Sequence, residues 1–428
     1  MKNINTVAVI GLGYIGLPTA AILATHGSEV IGVDINQSTI AAVNRGEVPF
    51  VEPDLQAHVS SAVSLGKLRA TSETPSAGTY VVAVPTPFKA DRSADLSFIE
   101  AAAAMIADQL VGDELIILES TSPPGTTQYM AEYIISLRPD LSLDGEGGRA
   151  VIHVAHCPER VLPGRVMIEL VTNDRIIGGL TSTASIRAKD LYSTFCQGEM
   201  LLSDAKTAEL AKLVENSYRD VNIAFANELS MISEELNVDV WELIRLANHH
   251  PRVNILQPGP GVGGHCIAVD PWFIVAATPE RAKLIRTARE VNDSKPDWVC
   301  DKVLAALSDM PISTQIGVLG LSFKANIDDI RESPAVQIAI QLATKLPERT
   351  INIAEPHIEK LPRQFDELDN VKLVDLEIAI ENSNIIVILV DHDAIKSLDL
   401  RAKTGRKIID TRGILSQNIA GLNLELVV

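Results

Sequence analysis

The sequence of 428 residues contains only four cysteines and has no excess of positive charge. The cysteines are widely spaced, with no C-x-x-C pair and no histidine cluster at the spacing of a zinc site. This pattern is typical of reduced thiols in a cytoplasmic protein and argues against a disulfide framework, and we expect no metal ion. The net charge of −18 argues against nucleic acid or an anionic membrane surface as the main partner.

An uncharged stretch from Val7 to Ala24 has roughly the minimum length of a membrane span. It also contains three glycines and a proline, and the chain continues into a second apolar run, EVIGVD. A signal or anchor segment does not need glycines at these spacings. We therefore interpret the stretch as a strand, a glycine turn and a helix, and we expect no membrane partner.

Short apolar runs alternate with helical segments at both ends of the chain. The first part has five such runs: TVAVIG, EVIGVDI, TYVVAVPTP, ELIILEST and AVIHVAHCPE. After Gln315 there are four more: QIGVLGLSF, RTINIAEP, NIIVILVD and RKIIDTRG. Strands that alternate with helices predict parallel βαβ units in a doubly wound sheet.

The middle of the chain has a helical pattern instead. No glycine or proline occurs from Asp204 to Leu236, and a helix of that length more often connects or braces domains. The predicted fold class is α/β, with two Rossmann-like doubly wound domains joined by a central helical domain that contains one long helix. The predicted boundaries are 1–203, 204–310 and 311–428.

A dinucleotide-binding fingerprint follows the first predicted strand. It reads Gly11-Leu12-Gly13-Tyr14-Ile15-Gly16. The glycines permit a tight turn and close approach of the backbone to a pyrophosphate, and the following helix N-terminus offers N–H groups. Asp34 ends the next strand about twenty residues on, where a carboxylate binds the ribose hydroxyls and repels a 2′-phosphate. We therefore predict that this motif binds NAD⁺ rather than NADP⁺.

Two later strand ends carry threonines, Thr86 in VAVPTPF and Thr121 in LESTSPPGTT. The carboxyl ends of strands form the ligand crevice of an open α/β sheet, so these hydroxyls are candidates for the nicotinamide side. The alternative is that both are ordinary turn residues.

A glycine-rich segment, PGPGVGGHCIAVDPW at residues 258–272, leads into Cys266, with Asp270 four residues later. Such glycine density lets the backbone crowd a ligand and can present N–H donors beside a thiol. The alternative is a buried structural cysteine. The flanking His265 and Asp270, together with a nicotinamide site elsewhere in the chain, favour a reactive thiol.

The long helix carries Lys212 and Asn216 four residues apart and so on one face. The alternative interpretation is a solvated polar stripe. Glu159 follows a strand predicted to be buried, which places it at the crevice as a catalytic carboxylate or, alternatively, as a helix cap or ion-pair residue. In the last unit, Lys324 and Arg331 follow a strand and a glycine turn, and two cations there suit a diphosphate.

Together these segments resemble the UDP-glucose/GDP-mannose dehydrogenase family over essentially the whole chain. The stretches that carry the resemblance are VIGLGYIGLP, ESTSPPGTT, CPERVLPG, ELAKLVENSYRDVNIAFANEL, GVGGHCIAVDP and GLSFKANIDDIRESPA. In detail the sequence is most similar to the branch of this family that acts on UDP-N-acetyl-D-mannosamine. UDP-glucose dehydrogenases commonly carry a lysine where this chain has Val269, which argues against UDP-glucose.

The resemblance implies a four-electron oxidation of the sugar C6 alcohol to a carboxylate, with two NAD⁺ consumed per sugar. An aldehyde forms first, the Cys266 thiolate adds to it, a second hydride transfer gives a thioester, and water releases the uronate. Lys212 and Asn216 would stabilise the oxyanions, Asp270 and Glu159 would position water, and Thr121 would lie near the nicotinamide. The implied contacts to the UDP-sugar are Arg160, Val161, Lys212, Asn216, Arg219, His250, Arg252, Gly263, Lys324 and Arg331.

The resemblance also implies a homodimer with the long helix at the interface and the segment around Arg252 reaching into the partner's site. Three alternatives stay open. A UDP-glucose or UDP-N-acetylglucosamine 6-dehydrogenase would use the same mechanism. A two-electron β-hydroxyacid dehydrogenase would need neither the cysteine motif nor the third domain, and a nucleotide-sugar sensor would bind without forming NADH.

Overall fold

The computed structural model describes residues 6–264, 266–398, 406–415 and the strand residues 426–427. The chain divides into two compact units, residues 1–215 and 216–428. Within the described ranges, no helix is both long and apolar enough to cross a membrane. The predicted division into three domains, with boundaries after residues 203 and 310, stays a prediction.

The first unit contains an eight-stranded sheet with the order β3-β2-β1-β4-β5-β8-β9-β10. Its strands are β1 Thr6–Ile10, β2 Glu29–Val33, β3 Leu68–Thr71, β4 Thr79–Val82, β5 Leu115–Leu118, β8 His153–His156, β9 Arg175–Gly179 and β10 Met200–Asp204. A separate two-stranded sheet contains β6 Leu141–Ser142 and β7 Ala150–Val151. Neighbouring strands are parallel except β8 and β9. The run 3-2-1-4-5 is the Rossmann order, and its ligand crevice lies where the order reverses, between β1 and β4.

Helices cover both faces of this sheet. They are α1 Gly16–Thr25, α2 Gln37–Asn44, α3 Leu55–Ser64, α4 Ser97–Ala107, α5 Thr126–Leu137, α6 Val166–Thr172 and α7 Ser182–Tyr192. Val7 and Val9 belong to one hydrophobic core and Ala8 and Ile10 to a second, because successive strand residues point to opposite faces. The uncharged stretch that begins at Val7 forms β1, the glycine turn and α1, which is apolar apart from two threonines and is buried on all sides from Gly16 to Ala24.

The predicted long helix is present as α8, Ala205–Glu235, with 31 residues. It begins in the first unit and ends in the second. The helices that follow are α9 Val240–Ala247, α10 Asp270–Ala277 and α11 Lys283–Leu307. Within the second unit, buried polar groups join α8 to α11: Arg289 Nη1 donates to Asp220 Oδ1 at 2.6 Å, and Asn292 donates to the same carboxylate at 2.8 Å. A buried ion pair of this kind depends on such additional hydrogen bonds.

The second sheet has six parallel strands in the order β13-β12-β11-β14-β15-β16. Its strands and helices are β11 Ile316–Leu319, α12 Pro334–Lys345, β12 Ile351–Ala354, β13 Val371–Leu373, α13 Leu376–Asn382, β14 Ile385–Ile388, α14 Asp393–Lys396, β15 Lys407–Asp410 and β16 Leu426–Val427. This is the full Rossmann order 3-2-1-4-5-6. The prediction of two Rossmann-like sheets and a central helical segment is therefore confirmed.

Candidate active site

The glycine fingerprint forms the turn between β1 and α1. Gly11 has a φ of +95°, and a Cβ there would lie 2.5 Å from the carbonyl oxygen of Ala83. A Cβ on Gly16 would lie 1.9 Å from the carbonyl oxygen of Gly11, whereas a Cβ on Gly13 would meet nothing within 4 Å. Gly11 and Gly16 are thus required by the turn itself. Gly13 borders open space, which suits close approach of a pyrophosphate to the backbone.

Asp34 follows β2 and lies beside this turn. Its Oδ2 accepts a hydrogen bond from the Leu12 N–H at 2.9 Å and its Oδ1 accepts one from the Asn36 N–H at 2.8 Å. Each carboxylate oxygen retains a second lone pair, and the side chain is half-buried. The neighbouring Ile35 is 84% exposed. A pre-oriented carboxylate next to an exposed apolar side chain fits the adenosine part of NAD⁺.

The Tyr14 side chain belongs to the wall of this site. Its ring stacks on Phe50 with centroids 4.9 Å apart, and its hydroxyl donates to Glu52 at 3.0 Å. The same carboxylate accepts the N–H groups of Gly164 and Val166 at 2.9 and 2.8 Å. Tyr14 therefore connects the glycine turn to the loop before α6.

The threonine loops after β4 and β5 are held together. Thr86 Oγ1 donates to the Thr121 carbonyl oxygen at 2.8 Å. Glu209 of α8 is buried and accepts the N–H groups of Gly125 and Thr127, at 2.5 and 2.6 Å, at the start of α5. The Thr86 hydroxyl thus forms a hydrogen bond that joins the two loops. Glu209, which the sequence did not single out, fixes the loop that carries Thr121.

Glu159 is buried and forms an ion pair with buried Arg175, at 3.1 Å. Its other oxygen accepts the Arg160 N–H at 2.7 Å. The alternative interpretation of Glu159 as an ion-pair residue therefore applies, and any part in catalysis is restricted by this pair. The Arg160 guanidinium contacts both oxygens of Glu215, at 2.6 and 3.1 Å. A phosphate would have to compete with that carboxylate for Arg160.

A second buried acid, Glu119, lies directly after β5 and was not among the residues predicted from the sequence. It accepts hydrogen bonds from Thr19 of α1 and Tyr192 of α7, both at 3.0 Å. Burial, and then the nearby Glu159 charge, raise the pKa of Glu119 to about 7. The available signal was its position as a single acid after four consecutive apolar residues.

This buried acid makes stability depend on pH. The folded state binds the Glu119 proton more tightly than the unfolded chain, so stability falls as pH rises from the ordinary value of 4.5 to about 7. Glu119→Gln removes this titration. As pH rises from 4.5 to about 7, wild type loses this stabilisation and Glu119→Gln does not. Across that range we therefore expect the free energy of unfolding of the variant to rise by on the order of 3 kcal/mol relative to that of wild type. Urea unfolding at pH 5, 6, 7 and 8 measures the difference. Parallel pH profiles would contradict it, and Glu132→Gln on the exposed face of α5 is the control.

In the second unit, Cys266 lies in the turn that leads into α10, and its side chain is exposed. The Cys266 carbonyl oxygen accepts the N–H groups of Val269 and Asp270 at 3.1 and 2.9 Å. Asp270 is the buried first residue of α10, and its Oδ2 accepts a hydrogen bond from Asn216 Nδ2 at 2.5 Å. The structure thus brings Asn216 and Asp270 together one helical turn from the thiol. His265 lies outside the described residues.

The glycine-rich loop before Cys266 packs against the segment 323–334. A Cβ on Gly263 would lie 2.6 Å from the Glu332 carbonyl oxygen and 2.8 Å from the Phe323 Cβ. A Cβ on Gly261 would lie 2.9 Å from the Pro334 Cβ. Glycine at 261 and 263 therefore lets two loops touch, one leading to the thiol and one that contains both predicted diphosphate cations.

Those two cations differ in their surroundings. Lys324 is exposed. Arg331 is also exposed, and its guanidinium donates to both oxygens of Asp329, at 2.9 and 2.7 Å. Lys324 thus matches the predicted point charge for a phosphate. Arg331 would have to give up its hydrogen bonds to Asp329 in order to bind a phosphate.

The remaining predicted site residues fall into two classes. Lys212 is buried on α8, and Val161 is half-buried against the first hydrophobic core. The exposed residues of this set are Arg219, His250 and Arg252. The Arg252 N–H lies 3.3 Å from His250 Nδ1, so these two residues belong to one turn.

Models of one protein family match most of the chain. The NAD binding domain of the UDP-glucose/GDP-mannose dehydrogenase family matches residues 5–196, the central domain 206–294 and the UDP binding domain 317–417.

Individual proteins are similar over nearly the whole length. A UDP-N-acetyl-D-mannosamine dehydrogenase of Salmonella typhi is 53% identical over 420 residues, 96% of this chain and 99% of that protein. An NDP-N-acetyl-D-galactosaminuronic acid dehydrogenase of Ralstonia nicotianae is 54% identical over 415 residues, 97% of each chain. The solved UDP-D-ManNAc dehydrogenase of Pyrococcus horikoshii superposes with a TM-score of 0.87 at 37% identity and covers 99% of both chains.

Proposed function

Because this chain belongs to the UDP-glucose/GDP-mannose dehydrogenase family, we propose that it oxidises the C6 alcohol of UDP-N-acetyl-D-mannosamine to the carboxylate. The observation that carries the proposal is the exposed Cys266 thiol one helical turn before Asp270, whose carboxylate is paired with Asn216. An exposed thiol at a helix start is suited to nucleophilic attack on a carbonyl carbon. The names of the similar proteins support the sugar.

We assign the individual steps to residues of this chain. Hydride acceptance is the chemistry that NAD⁺ supplies when bound at the Gly11–Gly16 turn with its ribose at Asp34. The buried Lys212 ammonium stabilises the alkoxide that develops as the C6 hydroxyl loses its proton. Departure of a hydride from C6 to a bound NAD⁺ would leave the aldehyde, and the Cys266 thiolate adds to its carbon and, with a proton taken up at the oxygen, forms a thiohemiacetal. Departure of a second hydride from that carbon to a second NAD⁺, with loss of the hydroxyl proton, would give a thioester.

Hydrolysis returns the enzyme to its starting state. Water adds to the thioester carbon, the C–S bond breaks, and the products are the uronate and the Cys266 thiol. Asn216 holds the Asp270 carboxylate in one orientation, so we assign to Asp270 the positioning of that water. Glu159 is restricted to an indirect part by its ion pair with Arg175. Thr121 lines the nicotinamide side through the loop that Glu209 fixes.

The diphosphate is assigned to the second Rossmann unit. Lys324 is exposed on the loop after β11 and supplies a point charge, and Arg331 supplies a second cation. Gly263 brings the loop that leads to the thiol against this segment. A nucleotide bound there would therefore project its sugar toward the loop that carries Cys266.

A second candidate substrate is an N-acetyl-D-galactosamine nucleotide, because the Ralstonia relative is as similar as the Salmonella one. The two sugars differ in configuration at C2 and C4 and share the C6 alcohol and the diphosphate. UDP-glucose is less favoured, since the buried Val269 stands where a lysine is common in enzymes for that sugar.

We also propose a cytoplasmic homodimer that forms through α8. Tyr218, Phe225 and Ile232 follow one another at seven-residue intervals and are 70%, 50% and 45% exposed. Seven residues make nearly two helical turns, so the three side chains form an apolar stripe. An exposed stripe of this length is typical of an interaction surface. Arg252 is exposed and is assigned to the partner's substrate site.

The proposed reaction predicts two NADH per sugar. We expect the purified protein to form two NADH for each UDP-N-acetyl-D-mannosamine oxidised, and to show negligible rates with NADP⁺ because Asp34 repels a 2′-phosphate. Spectrophotometry at limiting sugar measures the yield. The parallel substrates are UDP-N-acetylgalactosamine, UDP-N-acetylglucosamine and UDP-glucose. One NADH per sugar would indicate a two-electron dehydrogenase, turnover of UDP-glucose alone would exclude the proposed substrate, and binding without NADH would indicate a sensor.

A further inference from the structure

The second Rossmann sheet has an acid at the position where a dinucleotide site binds ribose, but a histidine already occupies it. In the first unit the Leu12 N–H donates to Asp34; in the second, the Leu321 N–H donates to Glu355 Oε2 at 2.7 Å. Glu355 follows β12 as Asp34 follows β2, and it is buried. The buried His392 approaches the same Glu355 oxygen through Nε2 at 3.0 Å. Glu355 is thus buried and already hydrogen-bonded to groups of the protein itself.

The hydrogen bonds of His392 define its tautomer. The Asn326 backbone N–H points at Nδ1 at 2.9 Å, so Nδ1 accepts and carries no proton. Nε2 then carries the proton of the neutral ring and donates to Glu355. Ser322 Oγ, 3.3 Å from Nε2, donates its own proton to the Lys324 carbonyl oxygen at 2.7 Å. His392 therefore joins Glu355 to both ends of the short segment 322–326.

This segment is fixed on either side of Lys324. The Ser322 N–H donates to Glu355 at 3.0 Å. Asn326, which has a φ of +62°, exchanges two hydrogen bonds with Asp393, at 2.9 and 3.0 Å. Ser322, Glu355 and Asp393 follow β11, β12 and β14, whose carboxyl ends are in register at the switch point of the sheet. The Lys324 side chain remains exposed between two fixed points.

We propose that neutral His392 is a positioning residue that holds the segment 322–326 so that Lys324 is presented to the diphosphate of the nucleotide sugar. The proposal rests on the function proposed above. It also explains why the second sheet binds a nucleotide sugar instead of a second dinucleotide, because the acid that would bind an adenosine ribose already accepts a hydrogen bond from His392. Ser322 is at the position that Gly13 has in the first unit, and its side chain lies where a pyrophosphate would approach the backbone.

The same side chains invite a metal interpretation that their hydrogen bonds disfavour. Ligand atoms of Glu355, His357 and His392 lie within 4.8 Å of one another. Glu355 Oε2 already accepts from two backbone N–H groups and from His392, and its Oε1 accepts the His357 N–H at 3.1 Å. His392 has its acceptor nitrogen directed at Asn326. A cation would have to displace the Nε2 proton and compete for a carboxylate whose Oε2 already accepts three hydrogen bonds, so we interpret the group as a hydrogen-bonded brace.

Two substitutions of His392 distinguish its hydrogen bond with the Asn326 N–H from its hydrogen bond with Glu355. His392→Asn keeps an acceptor near the Nδ1 position for the Asn326 N–H, whereas His392→Gln keeps a donor near Nε2 for Glu355 and loses that acceptor. We expect His392→Gln to weaken binding of UDP by about tenfold, the effect of losing one to two hydrogen bonds, and His392→Asn to weaken it much less. Calorimetry with UDP, without NAD⁺, measures both. His357→Gln is the matched control and is expected to bind UDP normally.

Kinetics distinguish positioning from a general structural role. In His392→Gln we expect KM for the UDP-sugar to rise about tenfold, with kcat at saturation and KM for NAD⁺ unchanged. Lys324→Met should weaken UDP binding, and His392→Gln should add nothing in that background, since it acts through Lys324. Equal losses in both backgrounds would overturn the proposal. So would unchanged UDP binding in His392→Gln, or stabilisation by Zn²⁺ that His357→Gln abolishes.

The UDP-binding readouts from calorimetry are independent of the oxidation, whereas KM and kcat depend on it. Absence of NADH formation in wild type would contradict the proposed function and leave the UDP-binding comparison intact. Normal UDP binding by Lys324→Met would overturn the inference about His392 while leaving the oxidation unaffected. Thermal melting of each variant checks the fold, and recovery of UDP binding in His392→Asn is the outcome that supports the acceptor at Nδ1.

Discussion

Cys266→Ser is expected to lower kcat for uronate formation by at least about 10³-fold, because an alcohol is a far weaker nucleophile than a thiolate at neutral pH. Cys266 lies in the exposed turn before α10, so the change from sulfur to oxygen leaves the backbone hydrogen bonds of that turn in place. Affinity for UDP and for NAD⁺ should therefore be unchanged. Rapid-quench analysis of uronate, with NADH absorbance in parallel, measures the effect.

The matched control is Cys196→Ser in the first unit. The Cys196 thiol lies 3.4 Å from the Asn173 carbonyl oxygen, and a serine hydroxyl can donate to the same acceptor. We expect this variant to retain wild-type kcat. A Cys266→Ser enzyme that still forms uronate at the wild-type rate would end the covalent proposal, whereas a loss in both variants would point to general damage.

Asn216→Asp is expected to reduce kcat by about 10²- to 10³-fold, more than Asn216→Ala does. The Asn216 amide donates to Asp270 at 2.5 Å, and Asp270 is buried. A carboxylate at position 216 would place a second negative charge at hydrogen-bond distance in a largely desolvated site, where like charges repel strongly. The orientation of Asp270 would be lost with the amide donor. Steady-state kinetics of the two variants give the comparison.

The double variant Asn216→Asp, Asp270→Asn reverses the pair and restores one amide and one carboxylate. We expect it to bind NAD⁺ and UDP normally and to be more stable to heat than Asn216→Asp alone. If Asp270 itself positions water, the reversed pair recovers stability but little activity, because the carboxylate has moved to α8. Full activity of Asn216→Asp would refute the assigned part of this pair.

The sequence predicted those features that depend on local pattern. Parallel strands were recognised where short runs rich in Val and Ile are bounded by Gly, Pro or polar residues, as in β1 and β5. It missed β3, β9 and β10 of the first sheet and β13 and β16 of the second. Their sequences are LRAT, RIIGG, MLLSD, VKL and LV. These strands are short or mixed in polarity, and β10 contains exposed leucines at a sheet edge. Pairing with a preformed neighbour, which no local pattern records, makes them strands.

The candidate site divides in the same way. Gly11, Asp34 and Cys266 belong to compact motifs, so spacing along the chain was enough to find them. Glu119 and His392 were missed because their partners lie 73 and 37 residues away in sequence, on Tyr192 and Glu355. Glu159 was found as a carboxylate at a strand end, but Arg175, which restrains it, becomes its neighbour only when β8 and β9 pair.

The contact between Gly263 and the segment 323–334 limits how this enzyme can diversify. At Gly263, no side-chain volume is left between the loop that leads to Cys266 and the segment that contains Lys324. A substitution that reshapes the segment 323–334 therefore also displaces the backbone that leads to Cys266. If these two loops have the proposed roles, recognition of the nucleotide and the chemistry at the thiol are linked, and we expect a change of substrate to need compensating substitutions in both loops.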